Sequence, residues 1–450
     1  MRRALRRAGG ARGPLKDGVQ ADLPEDDADR LRQQIDACLR GQGGEVSART
    51  RAAELGETYL VLDATGRRRF LDILAREYDT APDALDEAIA AYREAVDERA
   101  RATARRRLRE VLVAPRVRLL GQFNGLRQGV KFLVDLRAEL LSQVGDDPGL
   151  RALETDLRAL LTSWFDVGFL TLERITWRTP AALLEKLIEY EAVHAFRSWD
   201  DLKHRLEGDR RCYAFFHPNM PEEPLIFVQV ALVTGMADNV QALLDERAPL
   251  GDSEDADSAI FYSISNCQAG LAGVSFGSFL IKRVADDLAR QLPNLKRFAT
   301  LSPVPGFRDW LDERIDAADA DLVAESEARS LEAAFETSDL RRALASAAWW
   351  EDEARAEALR EPLMRACARY LVEARHGARA RDRVAHFHLT NGARIERLNW
   401  LADTSPKGIE QSASLMVNYL YRLNEVERNH EAYRGDGRVT AAAGVRKLLK

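Results

Sequence analysis

The chain has 450 residues, 46% hydrophobic and 31% charged, a composition that can bury a full core and that excludes disorder or a fibre. A net charge of -6 at pH 7 leaves no overall basic footprint for nucleic acid. Four scattered cysteines (Cys38, Cys212, Cys267, Cys367) without a CxxC pair suggest neither a zinc knuckle nor a disulfide framework. That cysteine usage fits a reducing cytoplasm, the length suggests two or three domains, and no apolar run reaches the roughly 18 residues of a membrane span.

The N-terminus, MRRALRRAGGARGPLK, is Arg-rich and free of acids until Asp17, which suits a transit peptide superficially. It has no apolar core for secretion and an acidic PEDD follows closely, so residues 1–24 read as a disordered tail. Residues 25–174 carry helical periodicity almost throughout. Leu31, Ile35, Cys38 and Leu39 make one apolar face, Leu85, Ile89, Tyr92 and Val96 a second, and Leu126, Val130, Leu133 and Leu140 a third. An antiparallel all-helical bundle is expected there. It groups no His, Cys or carboxylate at ligand spacing, which assigns it to scaffolding or self-association.

From residue 175 the composition shifts. A helix over 181–191 is followed by short β-type runs at 211–217, 225–233, 259–265, 296–302 and 384–389, while 312–381 reads as helix with an exposed Trp349-Trp350 pair. The mixture is α+β. Its centre is Ser258 to Trp310: a β-branched and aromatic strand, a turn spaced by Gly270, Gly273 and Gly277, and a helix with Leu280, Val284, Leu288 and Leu292 on one face. Such a turn leaves free N–H groups at a positive dipole end, suited to a pyrophosphate, although glycines also serve where backbones merely pack closely.

The seven histidines include no HxxxH pair, so a metal site is not expected. In a strand, His386 and His388 would share a face; they could be two metal ligands lacking a third, or one catalytic and one structural imidazole. Ser302 sits at a stiff corner before Pro303 and Pro305 without a GxSxG elbow, a setting more often structural than catalytic.

The strings ERITWRTP, FFHPNMPEEPLIFVQVAL, AIFYSISNCQAGLAGVSFGSFLIKRV, FATLSPVPGF, FHLTNGARIERLNWLAD and LMVNYLYRL together resemble malonyl-CoA decarboxylases, over about Glu173 to Tyr433. The resemblance implies a helical oligomerisation domain (25–174), giving a homo-oligomer such as a dimer or tetramer. It also implies a GNAT-like mixed α/β catalytic domain (175–450) that binds coenzyme A. The family's CoA turn falls on Ala272, Gly273, Val274, Ser275, Phe276, Gly277 and Ser278, its serine on Ser302 and its proton-donating histidine on His388; His386 does not carry over. The animal members place a Glu where Ser275 stands, and the acetyltransferase glycine pattern after Gln268 is not met literally. Tyr421, Asn391 and Tyr419 lie in matched motifs as candidates for supporting hydrogen bonds.

The substrate malonyl-CoA contains its own electron sink, so no biotin, metal or pyridoxal cofactor is chemically required. The protein has to stabilise charge on the thioester oxygen and supply a proton to C2. Two rival readings remain: a CoA-dependent acyltransferase, which would need an acceptor, and a non-enzymatic CoA-binding scaffold.

Overall fold

The computed structural model describes residues 18–40, 44–126, 128–165, 167–274 and 280–450. They form two compact units, and the division is not a single cut. One unit holds the described residues up to Thr171 together with Phe216–Pro224 and those from Gln268 to 274. The other holds Leu172–Phe215, Leu225–Cys267 and the described residues from 280 onward.

The first unit is helical. Aspartates at the starts of its helices supply side-chain acceptors for exposed backbone donors: Asp63 accepts from Thr65 N and Gly66 N at 2.8 and 2.9 Å, and Asp147 caps Pro148–Trp164 in the same way. Leu150, Leu153, Leu157 and Leu161 of that helix are fully buried, each contributing on the order of 2 kcal/mol of apolar transfer. Leu31, Ile35 and Cys38 are buried as their spacing predicts, and so are Val130, Leu133 and Leu140. The stripe from Leu85 to Val96 is not. Helix Pro82–Glu94 buries Ala88 alone, and Val96, beyond its end, is 93% exposed. Most of the expected tail lies outside the described residues, but its last part is packed, with Val19 and Leu23 buried.

Two motifs from later in the chain belong to this unit. Buried Arg137 donates to Gly270 O at 2.6 Å and to Glu154 Oε1 at 2.7 Å. A Cβ on Gly270 would lie 1.7 Å from Val134 O, so only glycine fits. In the PNMPEEP turn, His217 Nδ1 accepts from Asn219 N at 3.1 Å, which leaves its proton on Nε2 to donate to Trp164 O at 3.0 Å.

The second unit is built on an eight-stranded sheet. Its strands are β1 (Thr171–Ile175), β2 (Arg210–Phe216), β3 (Ile226–Val233), β4 (Ser258–Asn266), β5 (Arg297–Thr300), β6 (Ser302–Pro303), β9 (Arg394–Asn399) and β10 (Met416–Leu420); β7 (Arg375–His376) and β8 (Arg379–Ala380) form a separate hairpin. The order is β1-β2-β3-β4-β5-β10-β6, with β9 on β10. The β2/β3 and β3/β4 pairs are antiparallel, β4/β5 is parallel, and β10 runs antiparallel to β5, β6 and β9.

The parallel pairing lasts only from Ser258↔Arg297 to Phe261↔Thr300. Beyond it β4 runs on to Asn266, whereas the other chain turns at Leu301 into β6 against β10. At that level β4 carries a bulge, since Gln229 pairs Ser263 but Val230 pairs Phe261, leaving Tyr262 extra. The bulge lets Tyr262 bond Gln229 Oε1 at 3.0 Å while neighbouring Ser263 bonds buried Glu191 at 2.8 Å. Ile260, Tyr262, Ala299, Met416 and Leu420 pack with Val240, Leu243 and Ala402 in one core. The helix Leu280–Gln291 buries Leu280, Val284 and Leu288, as their four-residue spacing requires, and holds the Arg283 guanidinium 5.4 Å from the Phe215 ring of β2.

Two segments differ from the sequence expectation. The run 312–381 is several helices plus the β7/β8 hairpin, and Trp349 is fully buried, stacked on Trp400 at 5.7 Å, so it is not part of an exposed pair. The run 384–389 is not a strand but lies in the helix Arg383–Thr390. Asp382 starts that helix by accepting from Ala385 N at 2.7 Å. Gly392, at φ +80, ends it against Val426 O, where a Cβ would come within 2.1 Å.

Candidate active site

That correction separates the two histidines. Residues two apart on a helix point about 200° apart, so His386 and His388 cannot share a face. His386 Nδ1 meets Tyr433 Oη at 2.8 Å, and His388 turns inward, 2% exposed. A paired metal site is thereby excluded for these two, and no group of three or more metal-ligating side chains occurs among the described residues.

His388 Nε2 lies 3.1 Å from Ser302 Oγ, and His388 Nδ1 lies 2.7 Å from Tyr421 Oη. The strand departure at Leu301 places Ser302 on β6, where its hydroxyl donates to Thr300 Oγ1 at 2.8 Å. Thr300 Oγ1 also accepts from Tyr419 N at 3.1 Å. Tyr419 in β10 and Tyr421, the first residue past its end, are two apart and both reach His388: the Tyr419 ring stacks on the imidazole at 4.5 Å and 25°, and the Tyr421 hydroxyl meets Nδ1. Ser302 is 6% exposed and Thr300, Tyr419 and Tyr421 are buried, so the group is closed to bulk water.

Burial fixes the protonation state. Desolvation pushes the His388 pKa down to about 3 and raises both tyrosines well above their ordinary 10, so imidazole and phenols are neutral at physiological pH. Ser302 spends its own hydrogen on Thr300 Oγ1, so toward His388 its oxygen accepts from Nε2–H, and the bare Nδ1 accepts from the Tyr421 hydroxyl. The hydrogen bonds thus assign a direction: Tyr421 to His388 to Ser302 to Thr300. The arrangement presents a neutral N–H donor at a preorganised position, a role imidazole can fill as electrophile and acid.

Of the other expected site residues, Asn391 Nδ2 donates to Phe387 O at 2.9 Å across the helix end. Ala272, Gly273 and Val274 are described, with Gly273 in the left-handed region at φ +73; Ser275, Phe276, Gly277 and Ser278 lie outside the described residues. Sequence reasoning missed Thr300 and Asp382. Thr300 stood two residues before Ser302 in an alternating strand, a signal that was available. Asp382 is 2% exposed, and burial pushes its carboxyl up to about 6 despite backbone donors from Ala385, Val384 and Gly306.

Residues 168–450 match the family model of the malonyl-CoA decarboxylase C-terminal domain, and 78–165 that of the N-terminal domain. The chain belongs to the malonyl-CoA decarboxylase family. It is 39% identical over 419 residues to the mitochondrial malonyl-CoA decarboxylase of Anser anser anser (88% of this chain, 83% of that one). It is 41% identical over 361 residues to that of Rattus norvegicus (76% and 73%). Among solved structures, the malonyl-CoA decarboxylase of Rhodopseudomonas palustris matches with TM-score 0.85 at 42% identity, covering 93% of this chain and 99% of that one. The enzyme from Agrobacterium vitis matches at 0.85 and 41%, covering 94% and 100%. The α+β architecture with a helical N-terminal region is that of these relatives.

Proposed function

We propose that the buried Ser302–His388–Tyr421 group carries out the protonation step of malonyl-CoA decarboxylation. Membership of the family makes the chain a malonyl-CoA decarboxylase, a carboxy-lyase that forms acetyl-CoA and carbon dioxide. The observation that supports the residue assignment is the buried contact set, with His388 Nε2 3.1 Å from Ser302 Oγ and Nδ1 2.7 Å from Tyr421 Oη, read as Nε2–H facing Ser302.

The bond between C2 and the carboxylate carbon breaks, its electron pair passes into the thioester enolate, and carbon dioxide leaves. Ser302 orients the malonyl end and the Nε2–H of His388 supplies the proton to C2. Charge left on the imidazole is stabilised by the Tyr421 hydroxyl until a proton returns from solvent as the products leave, so one proton is consumed per turnover. No cofactor is needed for this electron flow. The turn Ala272–Ser278 is proposed to hold the CoA diphosphate on its backbone N–H groups.

Association through the helical unit into a homo-oligomer is proposed as well. No described helix is long and apolar enough to cross a membrane, and four free, buried cysteines suit a reducing cytoplasmic setting. The test of function is malonyl-CoA incubated with purified protein and no acceptor. Release of carbon dioxide with stoichiometric acetyl-CoA is expected; dependence on an acceptor amine would favour the acyltransferase reading, and CoA binding without turnover the scaffold reading.

A further inference from the structure

Away from His388, the second unit contains a cavity of about 210 Å³ lined by Trp310, Arg314, Arg369, Glu373, Arg375 and Arg381. Four guanidiniums converge on it from four segments: the helix Phe307–Asp316, the end of the helix Glu353–Val372, strand β7, and the residue before Asp382. Their carboxylate partners are few. Arg381 meets Glu313 at 2.5 Å, and Arg369 meets Asp319 at 3.4 Å and Glu373 at 3.9 Å. Arg314 and Arg375 make no ion pair among the described residues; Arg314 lies 5.8 Å over the Trp310 ring, and Arg375 reaches only the Gly437 carbonyl at 3.3 Å. Arg314 Nε, Arg369 Nη1 and Arg375 Nη1 are buried without a hydrogen-bond partner among those residues. Like charges gathered with their donors unspent are unfavourable unless something anionic joins them.

We propose that this cavity binds a phosphate-class oxyanion. A carboxylate offers its acceptors in one plane, which a bidentate guanidinium matches edge to edge. Arginines approaching from four segments call for a group with acceptors on several sides, as a tetrahedral phosphate has. The volume admits a phosphate but is smaller than the roughly 300 Å³ at which small-molecule pockets begin. The anion is therefore inorganic phosphate or the terminal phosphate of a molecule whose remainder stays outside, beside Trp310. Because Arg381 directly precedes Asp382, the cap of the helix bearing His388, the bound anion would tie that helix to the two others.

Calorimetry and thermal unfolding of the full chain with inorganic phosphate, adenosine monophosphate and acetyl-CoA test the site. One phosphate should bind per chain and raise Tm by about 2 °C or more near saturation. Arg314→Gln combined with Arg375→Gln should weaken phosphate at least tenfold, with malonyl-CoA turnover within twofold of wild type. Arg375→Gln alone, on the hairpin, should weaken it several-fold without changing the phosphate-free Tm, which covers misfolding of the double variant. Tighter binding of adenosine monophosphate than of phosphate assigns the site to a nucleotide, and equal or weaker binding assigns it to free phosphate. The proposal is overturned if phosphate binding is not saturable, if the variants bind it as wild type does, or if acetyl-CoA displaces it at the concentration that fills the active site.

Discussion

Acidification probes the neutrality of His388 directly. In the unfolded chain the imidazole titrates near 6.5; in the folded chain burial holds it near 3. The folded pKa is depressed, so below pH 6.5 the unfolded state takes up a proton that the native state refuses. The stability contributed by His388 is therefore complete above 6.5 and declines as pH falls toward 3, at about 1.4 kcal/mol per pH unit. Between pH 6.5 and 5.0 that amounts to about 2 kcal/mol. His194, which burial also pushes down, to about 4, declines in the same direction, and comparison with a variant cancels it. Urea unfolding at pH 7.5 and 5.0, followed by tryptophan fluorescence, should show wild type losing about 2 kcal/mol more on acidification than His388→Gln does, whatever the variant costs at pH 7.5. An equal acid loss in the two proteins would refute a burial-held neutral imidazole. The kinetic counterpart is a kcat/KM with no His388 titration between pH 6 and 8.

Ser302→Ala and His388→Ala should each lower turnover by roughly a hundredfold or more, with acetyl-CoA affinity by calorimetry retained; near-normal turnover in both removes their proposed roles. Tyr421→Phe withdraws the donor to Nδ1 and frees the imidazole proton to shift nitrogen, so steady-state kinetics should show kcat down by roughly tenfold or more with KM little changed. Gly270→Ala drives a methyl group into Val134 O and should cost about 3 kcal/mol of helical-unit stability. Gly121→Ala, at a helical φ of -58 with no atom within 4 Å of its added Cβ, should be stabilising by up to about 1 kcal/mol, thermal unfolding of the two variants giving opposite shifts.

The parts of the fold legible in the sequence are those where one periodicity had no competitor. Leu280, Val284 and Leu288 could only be one helix face, and the apolar runs of β2, β3 and β4 could only be buried strands. The segment around His388 was different. Val384, Phe387 and Leu389 gave strand-like composition, but Asp382 ahead of the run and Asn391-Gly392 behind it are helix start and stop signals, and those local hydrogen bonds outweighed composition. The stripe ending at Val96 shows the converse: periodicity marks an amphipathic helix without saying that anything covers its apolar side. Ser302 was legible only through family resemblance, because its setting depends on β5 leaving β4 at Leu301, and no spacing within one strand encodes where its neighbour departs.

With His388 as the proposed acid, the closed site suits the chemistry better than a charged group would. A malonyl carboxylate in contact with an imidazolium would be stabilised most in the ground state, where its charge is localised, and the pair would oppose the loss of carbon dioxide. A neutral N–H gives up little of that interaction, yet strengthens as charge moves onto the thioester enolate and the donor is already aimed. Burial achieves this by making the imidazolium costly, and Tyr421 completes it by fixing which nitrogen carries the proton. The Tyr419 ring, stacked on the imidazole at 4.5 Å, adds to the burial of that face. The apolar surroundings that stabilise the fold are therefore the same feature that selects the form of the acid, which is why a substitution admitting water beside His388 should reduce turnover even where every hydrogen-bonding group is kept.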